Sequence, residues 1–252
     1  GAVLLGATPQ PINEFSAVQR HPIGARKQVG QRVYHYAHVA PAALGGVQLV
    51  PSRGAVNLMT NRERGTDVVG AYPVGSKVIR ITAINDVLEN EFAGGMLLYA
   101  DEDNGWSCHA PIVANSAATI GNIFTVWLEY GIPYAMTDGY NSTCIANPFW
   151  NVARATANWG YTSVVGVPEL HVPVDNFTWL QTWGPCMCVG TGGTGGNPNE
   201  RTVTWDDDGC VQLSASHSTN HQFAGFLVHK TWFDQAPAFA GAQGYSFNVI
   251  NI

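Results

Sequence analysis

Charged side chains are scarce in this sequence. Asp, Glu, Lys and Arg together make up 12% of the 252 residues, about half of the ~25% usual in globular domains. Lysine is the scarcest of them and occurs only at positions 27, 77 and 230. Because charged side chains are rarely buried, the deficit falls on the surface, and protein interfaces are depleted in Lys and Glu. The composition therefore predicts a surface that is largely shared with neighbouring subunits.

Long apolar runs and paired cysteines are also lacking. No run reaches the ~18–20 apolar residues of a membrane-spanning helix, so we expect no contact with a membrane. The five cysteines are odd in number and widely spaced, unlike the framework of a small disulfide-stabilised secreted domain. They predict reduced, buried thiols and assembly in a cytosol. Hydrophobic residues make up 46% of the chain, which excludes a mostly disordered protein.

The few charges are unevenly distributed. Residues 1–80 carry nine basic and three acidic side chains, whereas the rest of the chain carries three basic and fifteen acidic ones. Such an asymmetry favours a basic segment that engages an acidic surface or nucleic acid. Nucleic acid is the weaker alternative, because the basic residues are scattered singly and form no stripe with aromatic residues. A third alternative is that the basic segment folds back onto the acidic remainder of its own chain.

Residues 1–30 show neither helical nor strand periodicity and contain three prolines. We expect an extended N-terminal arm that is ordered because a neighbouring subunit holds it. Its apolar side chains would anchor it, and its basic side chains would face acidic or polar grooves. The predicted interface residues of the arm are Ile12, Phe15, Val18, Arg20, Ile23, Arg26 and Lys27.

From Gln31 onward the pattern is that of β-structure. Short runs rich in β-branched and aromatic residues are separated by Gly, Asn, Asp and Pro, which predicts many strands at hairpin spacing. The fold class expected is all-β, with β-barrel or β-sandwich domains, an extended N-terminal arm and little helix. The predicted strands are 33–39, 77–84, 96–100, 123–128, 161–167, 201–205, 210–213, 223–229 and 245–252.

The best helix candidate is residues 149–159, with Asn147 as the cap and Pro148 at the first helical position. Three segments are expected along the chain. They are the arm at 1–30, a β-rich domain at 31–166 and a small C-terminal β-barrel domain at 167–252.

No motif predicts catalysis or a cofactor. Residues 190–195 formally match G-x-G-x-x-G, but a strand rather than a helix follows, so a hairpin loop is the better interpretation. There is no nucleophile elbow or catalytic-cysteine signature. We therefore predict no enzyme, no catalytic residues and no cofactor. A cell-wall hydrolase stays open as an alternative, because two carboxylates can be distant in the chain.

No metal site is predicted either. Cys186 and Cys188 lie on one face of a strand, but zinc needs a second pair of ligands. His217 and His221 lie in a polar loop, and the run Asp206–Asp208 lacks the spacing of a calcium loop. Buried thiols and a charged hairpin turn explain these residues better.

Two tryptophans four residues apart raise the question of sugar binding. Trp179, Gln181 and Trp183 lie in a strand-like segment, where alternation places all three on one face. We predict that they form part of the core of the C-terminal barrel, with Gln181 bonded to backbone. A stacking platform for sugars is the alternative.

Several segments together resemble one protein family. They are Gly30–Ala37 (GQRVYHYA) followed by a stretch of small residues, Asn90–Leu97 running into WSCHAPIVANSAA, Phe177–Pro185 (FTWLQTWGP), and the final YSFNVINI. Across residues 30–252 the chain resembles the capsid decoration, or cement, proteins of tailed bacteriophages, and the W-x-Q-T-W-G-P element is the most specific part.

The resemblance implies a structural virion protein on the outer surface of a capsid, assembled in the host cytoplasm. Such a protein is expected to be a homotrimer that bridges neighbouring major capsid protein subunits of an HK97-like shell, without touching nucleic acid directly. The arm would then lie in grooves between capsid subunits. A phage tail or fibre protein, or a carbohydrate-binding β-module, is the alternative. A major capsid protein is disfavoured, because its long spine helix is not evident in the sequence.

Overall fold

The computed structural model describes residues 10–58, 62–101, 106–156, 163–190, 201–206, 208–214, 222–230 and 244–252. In these ranges sixteen strands and one short 3-10 helix, Ala42–Leu44, are connected by turns. This confirms the predicted all-β class with little helix, and each of the nine predicted strands is present within a few residues of its expected bounds. No helix in the described ranges has the length and apolar content that crossing a membrane requires.

The strands, in chain order, are β1 (Arg26–Val29), β2 (Arg32–His38), β3 (Ala55–Asn57), β4 (Arg62–Asp67), β5 (Val78–Thr82), β6 (Met96–Asp101), β7 (Trp106–Asn115), β8 (Ile123–Leu128), β9 (Asn141–Ile145), β10 (Val152–Arg154), β11 (Val164–Pro168), β12 (Phe177–Gly190), β13 (Thr202–Trp205), β14 (Val211–Leu213), β15 (Phe223–Lys230) and β16 (Gly244–Asn251).

The chain folds as two compact units. One is Met59–Pro148, and the other combines Ala2–Leu58 with Phe149–Ile252. These bounds differ from the predicted divisions after residues 30 and 166, and residue 166 lies inside β11. The reason is that β3 and β10, which flank the middle unit in sequence, pair with each other. The chain leaves one sheet and returns to it, a long-range relation that the order of strands in the sequence does not reveal.

The segment predicted as a helix contains a strand. Residues 152–154 form β10, which pairs with β3, and no helix occurs in the described part of 149–156. Asn151 has a φ of 55°, in the left-handed region that does not continue a right-handed helix. Pairing with β3 therefore overrides the cap signals of Asn147 and Pro148. Residues 157–159 of the predicted helix lie outside the described residues.

The middle unit is an antiparallel sheet in the order β4-β9-β6-β7-β8-β5. A bridge between Val68 and Ile81 joins the end of β4 to β5, so pairing continues around the whole sheet and closes it into a small barrel. Side chains that alternate along the strands fill its interior, and Ile81, Leu97 and Phe124 are among those fully buried.

The other unit is built around the long strand β12, whose two halves belong to different barrels. The first half pairs with β2 and β11, and the order β2-β12-β11-β3-β10 is closed by a bridge between Val39 and Val152. The second half pairs with β16 and β14, and the order β12-β14-β13-β15-β16 closes on itself. Leu180 lies in the core of the first barrel, whereas Cys186 and Cys188 lie in that of the second.

Candidate interaction surfaces

Residues 10–25, called here the N-terminal segment, fold back onto their own chain. Ser16 pairs with Phe177 of β12 through two backbone hydrogen bonds, and the amide of Gly24 donates to the carbonyl of Tyr36 in β2. The surface that the segment covers is aromatic: Tyr34, Tyr36 and Trp179 form a buried cluster beneath it. Contacts with its own chain therefore hold the N-terminal segment in place. Residues 1–9 lie outside the described residues.

Gln10 fastens this segment, and nothing in the sequence singled it out. Its side chain is fully buried, and its Nε2 donates to the backbone carbonyls of Glu14 and Phe177 at 2.8 and 3.1 Å. Its Oε1 accepts a hydrogen bond from the hydroxyl of Tyr36 at 2.8 Å. The backbone carbonyl of Gln10 accepts from the indole nitrogen of Trp179 at 3.1 Å. One glutamine thus joins the start of the segment to both β2 and β12.

The four apolar residues predicted to anchor the arm on a neighbour divide into two pairs. Ile12 and Ile23 are partly buried and pack against the aromatic cluster of their own chain. Phe15 and Val18 point outward and are 45% and 58% exposed. This corrects the expectation for Ile12 and Ile23, because their packing within the chain leaves only the other pair as candidates for contact with a partner.

The three predicted basic residues also have places in the fold. Arg26 and Lys27 belong to β1, which pairs with β2, so this end of the predicted arm is a strand. The Nζ of Lys27 lies 5.2 Å from the centroid of the Trp179 ring and donates to the carbonyl of Gln10 at 3.3 Å. The Nε of Arg20 contacts the Oγ of Ser16 at 3.3 Å. Arg20 and Lys27 therefore stabilise the N-terminal segment, and Arg26 is exposed.

The predicted trio on β12 does not share one environment. Trp179 and Gln181 are each 2% exposed, but Trp179 lies beneath the N-terminal segment rather than inside a barrel. Trp183 is 47% exposed, which corrects the expectation that it lies in a core. A β-bulge between Gln181 and Trp183 interrupts the strand register. Beyond the bulge Trp183 pairs with the exposed Asn251 of β16.

Gln181 and Gly184 stabilise the bulge. The Nε2 of Gln181 donates to the carbonyls of Trp183 and Pro185 at 3.2 and 2.8 Å, which satisfies backbone groups that an irregular ladder leaves without a partner. Gly184 has a φ of 96°, and a Cβ at this position would lie 2.2 Å from the carbonyl oxygen of Gln31. Only glycine fits here without strain.

The second barrel carries an exposed apolar face, called here the β12–β16–β15 face. Pro185, Val249 and Phe226 form one cross-strand row over its three strands. Exposed side chains lie on both sides of this row, where alternation brings them to the same face. The described residues that define the face are Trp183, Met187, Phe226, Val228 and Val249. None of these five is charged, and the exposed Asn251 lies opposite Trp183 at the edge of the face.

A buried histidine forms the main polar cluster of the first barrel. His38 lies with its Nδ1 at 2.9 Å from the Oδ1 of Asn151 and its Nε2 at 3.2 Å from the Oδ1 of Asp175, and its ring stacks on Trp150. Burial lowers the pKa of His38, against the opposing effect of its bonds to Asp175 and Asn151. Asn151 and Asp175 both have a positive φ. The cluster holds two tight turns against the end of β2.

A second polar cluster lies beside the aromatic residues of β2. Glu169 accepts hydrogen bonds from Arg32 at 2.6 Å and from the hydroxyl of Tyr34 at 2.5 Å. Burial, followed by the bond to Glu169, raises the pKa of Tyr34. Tyr34 therefore stays a neutral hydrogen-bond donor, and the cluster links β2 to the turn after β11.

The thiols of Cys186 and Cys188 lie in the core of the second barrel. The bond to Cys188, followed by burial, raises the pKa of Cys186, so that thiol stays protonated. Within the described ranges no three His, Cys, Asp or Glu side chains come together as a metal site would require. The glycine-rich residues 191–200, which the sequence predicts to be a hairpin loop, lie outside the described residues, as do His217, His221 and Asp207.

Comparisons with known proteins assign no family to this chain. No family model, no curated protein and no solved structure matches it. What can be inferred about its function comes from its own residues and surfaces.

Proposed function

We propose that the protein is a structural virion protein that decorates a phage capsid and stabilises it by bridging neighbouring major capsid protein subunits. The observation that supports this most strongly is the β12–β16–β15 face, where apolar side chains of three neighbouring strands lie exposed. Contiguous apolar patches on a protein surface mark sites of protein contact. The scarcity of lysine and of charge in general agrees with a surface made for contact with other proteins.

The size of the face suits a contact that is repeated many times. Its five partly exposed side chains present apolar area on the order of a few hundred Å², less than the ~800 Å² per partner of a standard stable interface. Apolar burial contributes about 25 cal/mol per Å² before the entropic cost of association is subtracted. One such contact is weak. When many copies bind one shell and each copy contacts two subunits, these weak contacts together give strong binding through avidity.

The aromatic element of β12 has a place in this proposal. Trp183 belongs to the W-x-Q-T-W-G-P element that gives the resemblance to decoration proteins its specificity, and it is the largest exposed side chain of the face. Tryptophan is enriched among the residues that contribute most to binding energy at protein interfaces. Trp183 is therefore the residue we expect at the centre of the contact with the capsid.

The test uses particles of the phage that encodes the chain. Mass spectrometry of purified particles should find the protein in a fixed ratio to the major capsid protein, and gold-labelled antibodies should mark the capsid. Recombinant protein should bind particles that lack it, and Trp183→Glu with Phe226→Glu should weaken that binding by more than about tenfold. Val74→Glu, at an exposed residue of the middle unit, is the control. Labelling confined to the tail would overturn the proposal.

The exposed Trp183 also supports a second candidate, a carbohydrate-binding β-module of a tail or fibre. An exposed indole ring can stack on a sugar. A glycan array probed with the wild-type protein and with Trp183→Ala separates the candidates. Saturable binding of a glycan that Trp183→Ala abolishes would favour the module, whereas a capsid protein is expected to give none.

A further inference from the structure

The middle unit carries a second exposed apolar patch, at one end of its barrel. Two loops, residues 83–91 and 116–123, meet there through a bridge between Val87 and Ala118. The amide of Ile120 donates to the Oδ1 of Asp86 at 2.9 Å, which fixes the second loop on the first. Four large apolar side chains of these loops are exposed, and together they are called the tip patch: Ile84, Leu88, Ile120 and Ile123.

The charged side chains on the two loops of the tip patch are all negative, and the exposed Arg80 lies farther along β5, opposite Thr125. Asp86 and Glu89 are exposed on the first loop, and Glu91 accepts a hydrogen bond from the amide of Leu88. Residues 83–92 and 115–124 contain no lysine, arginine or histidine. A partner that covers this patch therefore needs apolar side chains at the centre of its contact and basic groups around them, because unpaired charges of like sign oppose association.

The N-terminal segment presents such a surface. Phe15 and Val18 are exposed on either side of Ser16, and the guanidinium of Arg20 reaches the Oγ of Ser16. The ammonium group of Lys27 lies beside Gln10 at the start of the segment, and Glu14 is the one acidic residue in it. The segment patch, defined as Phe15, Val18, Arg20 and Lys27, thus combines two apolar side chains with an excess of positive charge.

We propose that the segment patch of one copy binds the tip patch of a second copy. The contact places Phe15 and Val18 against Leu88 and Ile120, and the basic groups of the segment opposite Asp86 and Glu89. The two patches differ, so the interface is heterologous, and a bound pair keeps one unused patch of each kind for further neighbours. In this contact, basic side chains of the first 80 residues meet acidic side chains from later in the sequence, so the uneven distribution of charge serves self-assembly. It does not depend on binding to a capsid.

The decisive experiment blocks one patch at a time and then mixes the variants. The variants are Val18→Asp in the segment patch and Leu88→Asp in the tip patch, with Val74→Asp as a control at the opposite end of β5. Analytical ultracentrifugation over a wide concentration range should show association of the wild type and of the control. Each blocked variant alone should associate at least about tenfold more weakly. An equimolar mixture of the two should form a dimer and nothing larger, because one intact patch of each kind remains.

Several outcomes would overturn the proposal. They are a wild type that stays monomeric at every concentration, blocked variants that associate like the wild type, and a mixture that forms no dimer. The dimer in the mixture also shows that both variants are folded; if it is missing, circular dichroism and the Tm of each variant decide whether the contact or the fold was lost, and Val18→Ser and Leu88→Ser repeat the test. Added salt should weaken association of the wild type, since it screens exposed charges. Binding to capsids that persists in the blocked variants would leave the proposed function intact.

Discussion

The two halves of β12 differ in how deeply their tryptophan side chains are buried. Trp179 in the first half is 2% exposed and Trp183 in the second half is 47% exposed, although they are the same residue type on one strand. The first half is covered by the N-terminal segment, whose Gln10 accepts a hydrogen bond from Trp179. The outward face of the second half has no such cover among the described residues. Burial of an aromatic side chain here depends on a segment far away in sequence, and not on the pattern of the strand itself.

The boundary between the halves is set by local chemistry. The side chain of Gln181 bonds to backbone on the far side of the bulge, and the left-handed Gly184 allows β12 to pass close to Gln31. These two residues let one strand serve two barrels with different partners. Substitutions in the N-terminal segment, at the bulge and at the exposed Trp183 therefore test the difference between the two halves.

The largest expected effect compares the two tryptophans directly. Trp179→Ala should lower the free energy of unfolding by about 3–5 kcal/mol, because it removes a large buried ring and leaves a cavity under the segment. Trp183→Ala should change it by less than about 0.5 kcal/mol, as is usual for surface positions. Urea unfolding followed by circular dichroism measures both. Equal losses would show that Trp183 has a cover of its own and would contradict the assignment of the exposed face.

The next largest effect is at the boundary. Gly184→Ala should cost roughly 2–3 kcal/mol, because it combines a strained φ with a clash against the carbonyl of Gln31. Gly75→Ala is the matched control, since Gly75 has a φ of 89° but nothing within 4 Å of the added Cβ. It should cost only about 1 kcal/mol. If both variants lose the same free energy, the close approach to Gln31 does not constrain β12.

A smaller effect is expected when the cover itself is loosened. Gln10→Ala leaves the hydroxyl of Tyr36 without its acceptor and should cost about 1–3 kcal/mol. The backbone amides of Ser16 and Phe177, which hold the segment on β12, should then exchange hydrogen faster. Gln28→Ala removes only an exposed bond to Gly30 and should leave both quantities unchanged. Unchanged exchange in the Gln10 variant would mean that the segment is held by its other contacts alone.

The strands themselves were predictable from the sequence, because their signal is local. Runs such as IFTVWL at 123–128 are short, rich in β-branched and aromatic residues and preceded by the turn residues Gly121 and Asn122, and these local features predict a strand. The closure of the strands into separate barrels was not predictable in the same way. The pairing of β3 with β10 and the double use of β12 join residues far apart in sequence, and no composition or periodicity encodes them.

The candidate surfaces were predictable only in part. Phe15 and Val18 were expected as contact residues and are exposed, but Ile12 and Ile23 have the same apolar character and pack inward. The alternation of side chains along a strand predicted that Trp183 and Trp179 share one face. That prediction holds only for an uninterrupted strand, and the bulge after Gln181 has no reliable signature in a single sequence. Gln10 gave no signal at all, since its importance arises from hydrogen bonds with residues far away in sequence, among them Tyr36, Phe177 and Trp179. Which face of a strand is covered is a property of tertiary structure.

The smallest expected effect tests the covered half by pH. The ring of His21 lies against Tyr36 and Trp179, and burial, followed by the charges of Lys27 and Arg20, lowers its pKa below 6.5. As the pH falls below 6.5, the unfolded chain binds this proton before the folded chain does, so the free energy of unfolding decreases until the pH is below the folded pKa. Burial also lowers the pKa values of His35 and His38, so His21→Gln should reduce the slope without abolishing it. The protection of the Ser16 amide, taken as its exchange rate relative to the unfolded chain at the same pH, should fall at low pH more in the wild type than in His21→Gln. Identical pH profiles of protection for the two proteins would show that protonation of His21 does not loosen the N-terminal segment.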